Sequence, residues 1–132
     1  MTETTAATTL GLSRIGQIAM NARNLDRAIR FYRDALGLPF LFQAPPQLAF
    51  FDAGGVRLLL DVAADKEFDH AGSILYFSVE DIDRMHRVLV SRGVVFRDEP
   101  HLVARLPDRE VWMAFFNDTE GNTLALMSEI RP

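Results

Sequence analysis

The chain of 132 residues contains no cysteine, one tryptophan and three histidines. Without cysteine, disulfides, thiolate nucleophiles and cysteine-ligated zinc or iron–sulfur centres are excluded. No nucleophile triad, phosphate-binding loop or two-histidine metal spacing occurs in the sequence. No apolar run approaches the roughly 20 residues that a transmembrane helix needs. Absence of cysteine fits a reducing compartment, and we expect a cytoplasmic location.

The net charge of the chain limits the classes of partner that we expect. The net charge of -4 gives no electrostatic reason to expect binding to nucleic acid or to an anionic membrane. Residues 1–13 are rich in threonine and alanine and lack the basic start of a signal peptide, so we expect a disordered leader. The remaining residues, 14–132, are enough for one domain with a buried core.

The first module, residues 14–62, predicts a strand, a helix and three further strands. Ile15 to Ala22 alternates apolar and polar residues, which is typical of a strand. Asn24 is a good helix N-cap, an apolar stripe follows it, and Gly37 is a C-terminal stop. The three later strands are predicted at Pro39 to Gln43, Leu48 to Asp52 and Val56 to Val62.

The second module, residues 73–129, repeats this pattern after a charged linker at 63–72. Asp81 is the predicted helix cap and Gly93 the predicted stop. Residues 20–27 align with residues 77–84 without a gap, so the sequence indicates an internal duplication. Strands are predicted at Ile74 to Val79, Val94 to Arg97, Leu102 to Arg105, Val111 to Phe116 and Thr123 to Ser128.

Two segments carry a resemblance to a known family. The segment NLDRAIRFYRDALGLPF follows the first strand, and FFNDTEGNTLALM ends the second module. With the tandem βαβββ modules, they resemble the vicinal oxygen chelate superfamily, which includes glyoxalases, bleomycin-resistance proteins and extradiol dioxygenases. Thr119 stands where the family's last turn usually has proline. The resemblance implies an α+β fold in which both modules form a cup-shaped, eight-stranded mixed sheet around a small-molecule site.

The resemblance also implies a metal site, and here the sequence departs from the family. Its enzymes typically hold a divalent metal with side chains from the first and last strands of each module. In this chain those positions are Gln17, Leu59, Ile74 and Ala125. Of these four side chains, only Gln17 has a lone pair that could bind a metal ion. Asp61, on the same strand face as Leu59, is the one further candidate metal ligand. We therefore expect no cofactor, with a metal on Gln17 and Asp61 as the alternative.

Strand alternation predicts which polar side chains enter the cup. The apolar residues Ile18 and Leu75 should face the helices, which turns Gln17 and Tyr76 to the opposite face. An apolar bowl with a few polar groups is typical of a site for a small organic molecule. Gln17, Tyr76 and Asp61 are therefore candidate ligand-binding residues. The alternative is that Gln17 and Tyr76 only hydrogen-bond to each other or to water.

His101 is the one histidine predicted near the rim of the cup. We consider it, with Tyr76, a candidate catalytic residue and a candidate ligand contact. The alternative is a solvent-exposed histidine on an edge strand. His70 in the linker is expected to be solvated, and His86 on the second helix is expected to be partly buried.

Trp112 is a further candidate ligand-binding residue. Facing the cup, it would offer a flat surface for a ligand ring. Facing outward, it would pack on a helix or on a dimer interface. The strand around it is apolar on both faces, so its pattern favours neither orientation.

Two classes of function follow. The first is a protein that sequesters or carries a small organic molecule without metal, or a metal-free enzyme that uses His101, Tyr76 or Asp61. The second is a metal-dependent lyase, isomerase or dioxygenase with an atypical site. Relatives commonly assemble across a two-fold axis, so the resemblance also implies a homodimer.

Overall fold

A computed structural model of the protein describes residues 10–63 and 72–131. Both modules have the predicted βαβββ order. In the first module the helix continues as one π-helical turn, Phe31–Ala35. The elements are β1 (Gln17–Asn21), α1 (Leu25–Arg30), β2 (Phe40–Ala44), β3 (Leu48–Ala53), β4 (Val56–Asp61), β5 (Leu75–Ser78), α2 (Ile82–Ser91), β6 (His101–Arg105), β7 (Glu110–Asn117) and β8 (Thr123–Ile130).

The strands lie in two four-stranded mixed sheets, one from each module. Their orders are β1-β4-β3-β2 and β5-β8-β7-β6. The first and last strands of each module pair in parallel, and the other pairs are antiparallel. The α+β class and the tandem modules are confirmed. In the described part of the chain no hydrogen-bonded ladder joins the two sheets, so the eight strands are divided four and four.

The helices begin and end where local sequence signals predict. The side chain of Asn24 accepts a hydrogen bond from the backbone N–H three residues on at 3.1 Å, and that of Asp81 does the same at 3.0 Å. These bonds satisfy N–H groups that have no partner within the helix. After the helices, Gly37 and Gly93 have φ values of +76° and +92°, a region that strains any residue with a Cβ.

The first strand of each module is buried on one face only. Ile18 and Met20 of β1 pack in or against the core, as do Leu75 and Phe77 of β5. The alternate residues of both strands are solvent-exposed; they include Gln17, Ala19, Tyr76 and Ser78. The predicted alternation is therefore confirmed.

The two segments that carry the family resemblance contact each other across the modules. The Tyr32 hydroxyl donates a 2.6 Å hydrogen bond to Asp118 Oδ2. Asn122 donates from Nδ2 to the same Asp118 oxygen at 2.7 Å and to the Asn21 carbonyl at 2.8 Å. Burial, followed by the negative charge of Asp118, raises the pKa of Tyr32 well above its ordinary value. Tyr32 is therefore a buried hydrogen-bond donor that joins the modules.

Glu120 makes a second connection between the modules. Its carboxylate accepts hydrogen bonds from the backbone N–H groups of Arg23 and Asn24 at 2.7 and 2.8 Å and from Arg27 Nε at 2.7 Å. Burial acts to raise the pKa of Glu120, but the bonds from Arg27, from the Thr119 hydroxyl and from the backbone outweigh it and lower the pKa to about 2. The carboxylate therefore fixes the last turn of the second module on the start of α1.

The structure differs from the sequence prediction after the second helix. Residues 94–97 were predicted as a strand but form only an isolated bridge, between Phe96 and Phe116. The predicted leader and linker, with His70, lie largely outside the described residues. None of the helices in the described part of the chain is long and apolar enough to cross a membrane.

Candidate functional site

A groove of about 420 Å³ lies between β5 of the second module and the β3–β4 hairpin of the first. We call it the seam groove. Its walls are mainly apolar, with Ile18, Val56 and Leu75 among them. Its polar side chains are those of Arg57, Tyr76 and Ser78, and in residues 10–63 and 72–131 no histidine or carboxylate lines it.

Arg57 is positioned by both neighbouring strands. It lies near the start of β4, opposite Gln17 of β1, and its Nε donates to Gln17 Oε1 at 3.1 Å. Its guanidinium carbon lies 5.5 Å from the centre of the Phe50 ring on β3, which is within the range of a cation–π contact. Phe50 in turn stacks on Phe42, with 4.6 Å between ring centroids. Arg57 forms no ion pair with a carboxylate among the residues that the structure describes.

The sequence contained a signal for Arg57, but the prediction missed it. Leu58 and Leu60 alternate as buried residues along β4, which puts Arg57 on the exposed face with Leu59 and Asp61. The same alternation predicted Gln17. The family resemblance points to metal ligands on β4, and arginine is not a metal ligand, so Arg57 was not among the predicted site residues.

Tyr76 forms the opposite wall of the seam groove. Its side chain is 44% exposed, and its ring packs edge-on against Phe115 with 5.9 Å between centroids. The pairing of β5 with β8 puts it directly across from Ala125. Its hydroxyl has no hydrogen-bond partner in the described residues. The structure therefore brings Tyr76 to the groove that holds Arg57, and Gln17 reaches the groove through Arg57.

His101 lies far from the seam groove. It is the first residue of β6, the edge strand of its sheet, three strand spacings or about 14 Å from β5. Its side chain is 46% exposed. Nδ1 lies 2.9 Å from the Glu99 carbonyl oxygen and 3.7 Å from Asp98 Oδ2. These contacts hold the ring beside its own loop, on an exposed edge.

Asp61 and Trp112 also lie outside the groove. Asp61 ends β4 four residues after Arg57, about 13 Å along the strand. Trp112 packs against the buried core, on the face of β7 that carries Ala114 and Phe116. Its Nε1 donates to Glu110 Oε1 at 3.1 Å. Of the five predicted site residues, only Tyr76 lines the seam groove, and Gln17 contacts its wall through Arg57. His86 is half-buried, as predicted, with its ring 4.4 Å from that of Phe96.

Residues 14–126 match the family model of the Glyoxalase/Bleomycin resistance protein/Dioxygenase superfamily. The chain belongs to this superfamily. It is 26% identical over 126 residues to the uncharacterized protein YraH of Bacillus subtilis (strain 168), with 83% of this chain and 94% of that protein covered.

Several solved structures share the fold of this chain. The lactoylglutathione lyase of Agrobacterium tumefaciens has a TM-score of 0.68 and 26% identity, covering 89% of this chain and 95% of that one. TnmS3, an antibiotic binding protein from Streptomyces sp. CB03234, has a TM-score of 0.74 and 20% identity, covering 92% of this chain and 99% of that one.

The four metal positions that the family resemblance implies are Gln17, Leu59, Ile74 and Ala125. Only Gln17 has a side-chain oxygen that could bind a metal, and this oxygen accepts the hydrogen bond from Arg57. Ala125 is fully buried and is the cross-strand neighbour of both Tyr76 and Phe115, whose rings contact each other. No group of three or more histidine, aspartate or glutamate side chains able to hold a metal occurs in residues 10–63 and 72–131.

Proposed function

We propose that the protein is a metal-independent member of the superfamily that binds a small organic molecule in the seam groove. The observation that carries the proposal is the contact between Arg57 and Gln17. The family's first metal position is held by a neutral side chain whose oxygen already accepts from a guanidinium group. A divalent ion on that oxygen would lie within a few ångströms of a positive charge, and the two would repel each other.

The other metal positions support the same proposal. Leu59, Ile74 and Ala125 have no atoms that bind a hard or borderline cation. The Tyr76 and Phe115 rings meet beside the small Ala125 side chain, in the space that a longer ligating side chain would need. Asp61, the alternative ligand, lies at the other end of β4 from the Arg57–Gln17 contact. These residues do not fit a divalent metal.

The seam groove has the properties of a ligand site. Its volume of about 420 Å³ lies within the roughly 300–1,000 Å³ typical of small-molecule sites, and a few polar groups interrupt apolar walls. Two of those groups, the Arg57 guanidinium and the Tyr76 hydroxyl, retain N–H or O–H donors that have no acceptor among the residues the structure describes. A bound molecule would satisfy these donors and bury the apolar walls.

Binding is favoured over catalysis by what lines the groove. General acid–base catalysis at neutral pH usually uses a histidine or a carboxyl group with a shifted pKa. Among the described residues neither type lines the seam groove, Tyr76 is the one candidate catalytic residue there, and His101 and Asp61 are about 13–14 Å away by strand geometry. We therefore propose a sequestering or carrier protein. The Agrobacterium tumefaciens structure, a lactoylglutathione lyase, favours the second candidate, a metal-dependent lyase with an atypical site.

A thermal-shift screen of metabolites, run with and without EDTA, tests the proposal. We expect at least one small organic compound to raise the Tm equally under both conditions, because it binds only the folded chain. Tyr76→Ala should abolish that rise, whereas His101→Ala should retain it. A rise that requires a divalent metal, or that His101→Ala abolishes, would support the enzyme instead.

A further inference from the structure

We infer that the ligand of the seam groove is a small organic carboxylate whose anionic group is held by Arg57 and Tyr76. This inference rests on the proposed function and names the chemical class of the ligand. Three features of the groove support it: its hydrogen-bonding capacity, its charge and the contacts that orient Arg57.

The polar side chains of the groove have hydrogen-bond donors that a ligand could use. Arg57 has five N–H donors and no acceptor, and its one hydrogen bond to a described residue uses only Nε. The hydroxyl groups of Tyr76 and Ser78 have no protein partner among the described residues. A ligand group that accepts several hydrogen bonds at once suits this set, and a carboxylate has about four acceptor positions.

The charge of the groove selects an anion. Among the described residues that line it, Arg57 is the one cationic side chain and none is acidic. The nearest candidate partner is Asp52, directly across from Arg57 in the β3–β4 pair, but Asp52 Oδ1 accepts from the Gly55 backbone N–H at 3.0 Å. Asp52 keeps its negative charge in this bond, but it forms no ion pair or hydrogen bond with Arg57 in the described part of the chain, so the Nη donors of Arg57 stay available to a ligand.

Two contacts hold the guanidinium in place before a ligand arrives. Gln17 accepts from Nε on one side, and the Phe50 ring lies beside the guanidinium group. These contacts reduce the rotamer freedom that arginine would lose on binding. The Nη atoms bond to no other described residue, and two parallel bonds from a guanidinium match the geometry of a carboxylate.

The apolar walls of the groove indicate the chemistry of the rest of the ligand. Val56 and Leu75 provide apolar walls, and the Tyr76 ring stands against Phe115 with one side exposed. A compact aliphatic or aromatic group would bury these surfaces. A small apolar monocarboxylate therefore matches both the charge and the walls.

NMR titration of the ¹⁵N-labelled chain at pH 7 tests the inference. Benzoate and hexanoate are the probes, and benzamide and hexanamide are neutral compounds of the same shape. We expect the two acids to shift amide signals of β4 and β5, and to bind at least about tenfold more tightly than the amides, as loss of one charge-assisted contact predicts. Arg57→Gln should weaken the acids by a similar factor. The control Arg87→Gln, which removes an exposed arginine of α2, should have no effect.

Three results would overturn the inference: equal binding of acids and amides, equal behaviour of Arg57→Gln and Arg87→Gln, or no shift of β4 and β5 signals by any probe. Unperturbed amide signals elsewhere in Arg57→Gln would show that this variant is folded. If the amides bind in the groove as well as the acids do, binding in the seam groove stands and only the carboxylate class fails. If no probe binds there, the carboxylate class fails, and the metabolite screen with Tyr76→Ala decides the proposed function separately.

Discussion

Tyr32, on the π-helical turn of the first module, donates a 2.6 Å hydrogen bond to Asp118 in the last turn of the second. Both residues belong to the segments by which the sequence resembles its family. Tyr32 is fully buried and Asp118 is 8% exposed, so neither is available to a ligand. The family signature of this chain therefore marks the contact between the modules, and the residues that could bind a ligand lie on other strands.

Replacing Tyr32 with phenylalanine should destabilise the fold. The substitution keeps the ring but removes a buried donor, and we expect a loss of about 1–3 kcal/mol in the free energy of unfolding. Urea denaturation measures this loss. Tyr76→Phe is the matched control, because the Tyr76 hydroxyl has no protein partner in the described residues, and it should change stability little. Equal losses in the two variants would show that the hydrogen bond to Asp118 contributes nothing measurable.

The Glu120 connection should make stability depend on pH. The pKa of Glu120 is lowered to about 2 in the folded chain, so its stabilising effect is complete above the unfolded value of 4.5 and is lost as the pH falls towards 2. The loss should be on the order of 3 kcal/mol. Denaturation at a series of pH values measures it, with Glu120→Gln as the control because this side chain does not titrate. If the two proteins lose stability in parallel from pH 5 to pH 2, Glu120 is not responsible.

Trp112 should stabilise the fold without affecting ligand binding. Its ring packs against the buried core, on the face of β7 opposite Met113. We expect Trp112→Phe to lower the free energy of unfolding by about 1–3 kcal/mol while the affinity for a seam-groove ligand stays the same. Denaturation and a binding titration on the same variant measure both quantities. If Trp112→Phe weakened the affinity for the ligand and left the free energy of unfolding unchanged, Trp112 would be a ligand-binding residue.

We also expect a homodimer. Several apolar side chains are 43–49% exposed on the strands or next to them: Leu41, Phe42, Ile74 and Val103. A second copy of the chain would cover some of this surface, as the family resemblance implies. Light scattering at micromolar concentration should give a mass twice the 14.9 kDa of one chain. A mass of 14.9 kDa under those conditions would remove the prediction.

The parts of the fold that depend on local sequence were predicted well. Asn24 and Asp81 cap their helices by accepting a hydrogen bond from the backbone N–H three residues on. The alternation of buried and exposed residues around Gln17 and Tyr76 is likewise a property of single strands. The placement of His101 was beyond such reasoning, because its distance from Tyr76 depends on the order of four strands in a sheet. Trp112 was ambiguous for a related reason: both faces of its strand are apolar, and only the pairing across the sheet separates them.

The metal content of the purified protein tests the central claim most directly. Elemental analysis of protein prepared without chelator, before and after addition of zinc, nickel, manganese and iron(II) followed by desalting, should find far less than one metal ion per chain. One retained metal ion per chain, lost when Gln17 is replaced with alanine, would contradict the claim and show that the family's metal site survives in this chain.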